Sequence, residues 1–289
     1  MTFAIGLVVA LSALLGGFAA MGGHLEVLVQ PWEFVIIGGS ALGIFAAANT
    51  IPVLKDTGKA IVEGLLEKKP KTSDYLEVLG LLHALMRELR SKGRGAIEGH
   101  VDNPAESAIF QAYPSVGKNH ELETFVCDYM RLIIIGNARP HEIEALMDEE
   151  IGTMMHDALK PYHSITAVSD SLPALGIVAA VLGVIKAMGA LDQSPRLLGG
   201  LIGAALVGTF AGIFISYGML NPLAAKIKTV RHAKESLFVV AKQVLLAFMN
   251  GAMPQIAVEH GRKVISSKSR PTIDEVETAT VEGGNAKAA

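Results

Sequence analysis

The chain is poor in the residues on which soluble chemistry depends. Only 18% of its 289 positions are charged, against about 25% in an ordinary soluble domain. One cysteine, Cys127, rules out any intrachain disulfide and suits a reducing compartment. Nine histidines are present, yet no pair has His-x-x-x-His spacing and no Cys/His cluster forms, so neither a metal centre nor another cofactor is expected. A net charge of −3 excludes the basic footprint of a nucleic-acid binder. No nucleophile–base constellation stands out, so the chain does not read as an enzyme.

The long apolar runs lack acid. Residues 3–21, 34–50, 171–190 and 197–220 each meet the criterion of about 17–25 apolar residues for a membrane span. The second is short and relies on Trp32 as an interfacial anchor. The first lacks a basic leader and is too long for a signal peptide, so it reads as a retained helix. Of 25 Lys and Arg residues, 13 lie between the second and third runs and 10 follow the fourth. The positive-inside rule then puts the loops 24–31 and 192–196 outside, with both termini and the large polar segments in the cytoplasm.

The expected fold is an all-α membrane protein with four transmembrane helices and a helical cytoplasmic domain inserted between helices 2 and 3. In that division, residues 1–51 hold helices 1 and 2, residues 52–168 the inserted domain, and residues 169–222 helices 3 and 4. Residues 223–265 form a cytoplasmic helical extension, and the polar residues 266–289 a disordered tail. Within the insert, Leu76, Leu79, Leu82, Leu85, Met86 and Leu89 make a helical stripe that Gly93 and Gly95 break. Residues 121–135 repeat the pattern, and Pro140 opens a third helix at its favoured first position.

Inside the membrane, small residues form rows. Pro173, Gly176, Ala180, Gly183 and Ala187 line one side of the third span; Gly200, Ala204, Gly208, Gly212 and Ser216 follow at steps of four on the fourth. Such rows let helices approach closely in lipid. They either pack on each other within one chain or leave one row for a second chain. Polar groups at membrane depth are Thr209, Ser216, Tyr217 and Lys186. The Thr209 hydroxyl either lines a pathway or bonds back to the carbonyl four residues earlier. Lys186, about 20 Å above Pro173, can snorkel outward as an anchor. No Asp or Glu is expected deep in a span, since Glu33 reads as an edge residue and Asp170 lies at the inner mouth. A proton carrier would therefore have to come from a partner. Pro173 is either the first turn of its helix after a Ser169-Asp170-Ser171 cap or an interior proline, and Pro222 would free the carbonyl of Gly218.

The stretches "SDSLPALGIVAAVLGV", "VGTFAGIFISYGMLNPLA", "EIEALMDEEI" and "IAVEHGRK" resemble the MotA family, the larger stator subunits of bacterial flagellar motors, over nearly the whole chain. That resemblance implies a bacterial inner-membrane protein, five copies surrounding a dimer of MotB, which supplies the proton-accepting aspartate. It further implies that a small-residue face lies against the MotB helix. Pro173 and Pro222 match the family's essential prolines, and Thr209 its pathway threonine. Sodium-driven relatives carry threonine where this chain has Ala180, which offers no oxygen ligand, so protons are the implied ion. Ala180, Thr209 and Tyr217 with the two prolines form the implied ion pathway and coupling set. Arg90 and Glu98 match the charges that contact the rotor protein FliG. The alternatives are an ExbB/TolQ-type energiser of outer-membrane processes, which has three spans in another order, and a membrane scaffold without conduction.

Overall fold

The computed structural model describes residues 2–137 and 139–285. Its helices, in chain order, are α1 (Thr2–Ala20), α2 (Pro31–Ala48), α3 (Ile51–Leu65), α4 (Thr72–Lys92), α5 (Arg94–Asp102), α6 (Ala108–Gln111) and α7 (Pro114–Lys118). They continue with α8 (His120–Ile135), α9 (Pro140–Ala158), α10 (Lys160–Met188), α11 (Pro195–Ile213), α12 (Asn221–Met249), α13 (Pro254–Val264) and α14 (Ile273–Asn285). A 3₁₀ turn, Leu25–Leu28, precedes α2, and a π-helical segment, Phe214–Leu220, joins α11 to α12. Among the described residues, four stretches are long and apolar enough to cross a membrane: Thr2–Ala20, Leu25–Ala48, Pro140–Met188 and Pro195–Met249. The all-α fold with four such helices and a helical insert between the second and third is therefore the observed one.

By contact the chain divides into two units: Met1–Lys68 with Ala158–Val230, and Lys69–Asp157 with Arg231–Ala289. These contact units do not follow the division by polarity at residues 52, 168 and 222. The reason is that α3, the start of α10 and the start of α12 bury apolar stripes on one another through Ala60, Ile165, Leu223, Ala224 and Ile227. In the same unit, the Lys226 ammonium donates to Glu67 Oε1 at 2.7 Å and the Thr2 hydroxyl donates to the same oxygen at 2.7 Å. Those two donors hold the Glu67 carboxyl down to about 2, favouring its charged form.

The second unit is built on the α4 stripe. Val78, Leu79, Leu82, Leu85 and Met86 are buried with Phe125 and Met130 of α8 and with Val240, Val244 and Leu245 of α12. The Phe125 and Phe238 rings meet edge to face at 5.4 Å, the arrangement that aromatic quadrupoles favour. Each such side chain contributes about 1.5–3 kcal/mol by leaving water. Cys127 is sealed in this core, where burial pushes its thiol up to about 12; it is a packing residue without thiolate reactivity.

The chain's end departs from expectation. Residues 273–285 are helical, not disordered. Thr272 and Glu275 cap that helix reciprocally, the Thr272 N–H donating to Glu275 Oε2 at 2.7 Å and the Glu275 N–H to the Thr272 hydroxyl at 3.2 Å. Val276 reaches the core, and the buried Arg262 guanidinium donates to the Pro271 carbonyl. A capping box and one apolar anchor outweigh a polar composition. The last positions of the expected tail, 286–289, lie outside the described residues.

Candidate functional site

The membrane-spanning rows face each other. A methyl group added at Gly176 would stand 2.9 Å from the Gly208 carbonyl oxygen and 3.3 Å from the Cα atoms of Gly212 and Thr209. One added at Gly212 would stand 2.6 Å from the Leu172 carbonyl oxygen, and one at Gly183 2.6 Å from Ala205 Cβ. Glycine is therefore required there by backbone-to-backbone contact between α10 and α11. Gly176, Gly183, Gly208 and Gly212 are thus used in contacts within the chain, while Gly200, in the same row, is exposed with no atom within 4 Å of its methyl position. The sides left open are bulkier, with Ile177, Val181 and Ile185 on α10 and Leu206, Ile213 and Tyr217 nearby in sequence on the next helix all exposed.

Pro173 lies in the interior of α10, thirteen residues past Lys160. The Ser169-Asp170-Ser171 sequence is not a cap, because the helix begins earlier, at the N-cap Leu159. Ser169 is instead fully buried, and its hydroxyl donates to the Ser216 carbonyl at 3.0 Å, with the two hydroxyls 3.1 Å apart. The same Ser216 carbonyl accepts the Asn221 N–H, five residues on. Pro222, exposed, follows immediately. An interior proline removes one donor and crowds the carbonyl four back; here the turn before it has widened to the π register, a form frequent at functional sites. The sequence showed Pro222 but not the π turn, because widening depends on what crosses from α10.

Ala180 and Thr209 lie within about one helical turn of each other. The Ala180 amide nitrogen lies 3.6 Å from the methyl position of Gly208, and the Thr209 Cα packs against Gly176. Ala180 stands seven residues, about 10 Å, above Pro173. Thr57, Thr166 and Thr229 each bond back to the carbonyl four residues earlier. Among the described residues, Thr209 makes no such bond, nor any other, and its side chain is only half-buried. The back-bonded reading of this hydroxyl is therefore set aside. Tyr217, on the π segment, is 60% exposed.

Glu33 is not an edge residue in its contacts. Its Oε2 is buried without a hydrogen-bond partner and lies 3.0 Å from the Gly208 methyl position, with Ala179 Cβ at 3.2 Å from the same point. The 3₁₀ turn is recessed alongside α11, with Val27 reaching Gly203, which carries the start of α2 down to this level. Hydropathy along the chain could not reveal such a recess.

In the other unit, Arg90 ends the exposed side of α4 and Glu98 sits exposed on α5. Between them Gly93 has φ +85°, a backbone conformation open to glycine, so the two charges are carried on separate helices about a sharp joint. Behind them Lys92 pairs with Glu88 at 2.9 Å.

Family models for the motility protein A N-terminal region and for the MotA/TolQ/ExbB proton channel family match residues 4–93 and 117–238. Motility protein A of Salmonella typhimurium is 43% identical over 277 residues, covering 96% of this chain and 94% of its own. The chain belongs to the motility protein A family. The Escherichia coli member is 42% identical over the same shares, and the chemotaxis protein LafT of Vibrio parahaemolyticus is 34% identical over 94% and 96%. In fold, this chain is similar to the solved structure of Campylobacter jejuni MotAB at TM-score 0.74, covering 94% of this chain and 98% of that one at 19% identity. The flagellar MotAB stator complex of Bacillus subtilis aligns at TM-score 0.68, 92% and 96% coverage and 22% identity.

Proposed function

We propose that the chain is the proton-conducting stator subunit of a bacterial flagellar motor, a multi-pass inner-membrane protein with both termini and the inserted domain in the cytoplasm. Five copies surround a dimer of a MotB-type partner, whose aspartate carries the proton, and Arg90 with Glu98 engages the rotor protein FliG. The observation that carries this reading is the unpaired Thr209 hydroxyl within about one helical turn of Ala180, in a chain with close motility protein A relatives. A hydroxyl kept free of its own helix offers a donor and acceptor to a passing proton or to a partner carboxyl. Protonation and release on that carboxyl would change contacts near the buried Ser169–Ser216 bridge, with Pro173 and the π turn before Pro222 as the yielding points. One charge crossing 100 mV releases about 2.3 kcal/mol, comparable to the cost of repacking one tight helix contact.

The four spanning helices favour this over an ExbB/TolQ-type energiser. The test is proton flux into vesicles holding the chain with its MotB-type partner. Flux should require both proteins, fall in Thr209→Val and persist in Thr209→Ser. Equal flux in the valine variant would remove the hydroxyl from the pathway, and no flux from the wild-type pair would reject conduction altogether.

A further inference from the structure

Four described helices carry an acid at the third helical position: Glu33 in α2, Asp74 in α4, Glu142 in α9 and Glu275 in α14. Three of them close the end of their own helix. Asp74 accepts the Lys71 N–H at 2.7 Å, Glu142 the Arg139 N–H at 2.9 Å, and Glu275 the Thr272 N–H at 2.7 Å. That is the ordinary use of an acid at this position. Glu33 does not do it. Its carboxylate turns from the helix end into the crevice between α10 and α11, where Oε2 is buried and partnerless. It stops 3.0 Å from the Gly208 methyl position, the point that Ala180 N approaches to 3.6 Å. Gly208 is what makes room, since any side chain there would meet that oxygen.

An unpaired carboxylate at membrane depth is expensive, and where one persists a role in moving charge is the default expectation. The charged group whose field reaches Glu33 is Lys186, on α10. Otherwise α11 brings only Arg196 in its first turn, and the recessed turn before α2 carries Glu26 beside His24. Ala179 Cβ and Ala180 N share with the oxygen the space around the Gly208 methyl position, at 3.2 and 3.6 Å from it. With Oε2 buried and without a partner, a permanent anion is poorly satisfied, whereas a carboxyl that alternates between charged and neutral fits that depth.

We propose that Glu33 is a second proton-binding carboxyl of the conduction path, supplied by this chain and placed to pass protons toward Ala180 and Thr209. Its carboxylate takes a proton from water on the side of the 24–31 loop. It then yields that proton inward, to water or to the partner's carboxyl, and returns to the anion. This rests on the conduction reading above and adds to it a carrier belonging to the chain itself. It also gives Lys186 a function, setting the field in which Glu33 titrates.

The experiment uses the full chain with its MotB-type partner, reading co-purification and proton flux into vesicles as the pH on the loop side is varied. Glu33→Gln keeps shape and removes titration. It should assemble, with flux lowered about tenfold or more, within the range that positioned acid–base groups contribute. Glu33→Asp should assemble and recover part of the flux. Lys186→Gln should shift the pH profile in the wild-type chain and leave it unshifted in the Glu33→Gln background. Wild-type flux from Glu33→Gln at every pH would overturn the proposal, making the carboxyl a neutral packing group. Failure of both variants to assemble would overturn it too, in favour of a structural role. Absence of flux in the wild-type pair would instead defeat the conduction reading, which separates the two failures.

Discussion

Gly212→Ala isolates the contact that joins the two central helices. The added methyl would lie 2.6 Å from the Leu172 carbonyl oxygen, 3.0 Å from Gly176 Cα and 3.2 Å from Gly176 N. All three atoms are backbone, so no rotamer can relieve the clash. A carbon–oxygen contact settles near 3.3 Å or beyond, and α10 and α11 must separate by roughly 0.7 Å along that direction. Overpacking of this kind costs about 1–3 kcal/mol, offset by up to about 1 kcal/mol because alanine favours the helix over glycine. Gly200→Ala is the matched control: it lies in the same row of α11 but has no atom within 4 Å of its added methyl. It should be neutral or slightly stabilising. Reversible unfolding of the purified chain in detergent micelles should therefore separate the two variants by about 1–3 kcal/mol, with Gly212→Ala the weaker. Equal stability would refute the packing argument and return the row to the surface of the chain.

Three further outcomes are expected. Pro222→Ala restores a donor after the π turn and should let residues 214–226 relax toward a regular helix; co-purification with the partner should be retained while swimming is lost, and lost co-purification would make the proline structural. Arg90→Glu, exposed at the end of α4, should reduce torque with proton flux unchanged and be partly rescued by a compensating charge reversal on FliG; an equal loss of flux would place it in folding. Ala180→Thr should assemble, since a threonine hydroxyl can bond within its helix, and should alter conduction; failure to assemble would show the level of Ala180 too tight for two more heavy atoms.

What the sequence made legible follows from period and polarity. The stripe from Leu76 to Leu89 announces α4 because its partners in the core are apolar whatever their identity, and the four apolar runs announce the spans because lipid demands length. The small-residue rows were visible too, but a row records only that something comes close. It took the Gly176 and Gly212 contacts to say that the neighbour is the same chain. Glu33 was missed for a related reason: position along a span is a poor measure of depth when one loop is recessed beside a longer helix. The sequence alone allows two places for Pro173, because Ser-Asp-Ser can begin a helix or lie in its middle, and the start of α10 at Lys160 with the Ser169 hydroxyl bonded to Ser216 decides it. The helix at 273–285 was hidden by its composition, since a single buried valine and a cap suffice to order it.

The π turn at Phe214–Leu220 also sets the phase of everything that follows it. A wider turn holds about one residue more than an α turn, and one residue corresponds to about 100° of rotation. With every residue kept, Leu223, Ala224 and Ile227 point at Ala60 and Gly64 of α3 only while the turn stays wide. Closing the turn with every residue kept would swing this buried face by about that angle away from α3, whereas deleting one residue between 214 and 220 would close the turn and leave the face where it is. The segment thus works as a spacer counted in degrees. A one-residue deletion within it therefore keeps the contact with α3, while one outside it, with the wide turn retained, would not.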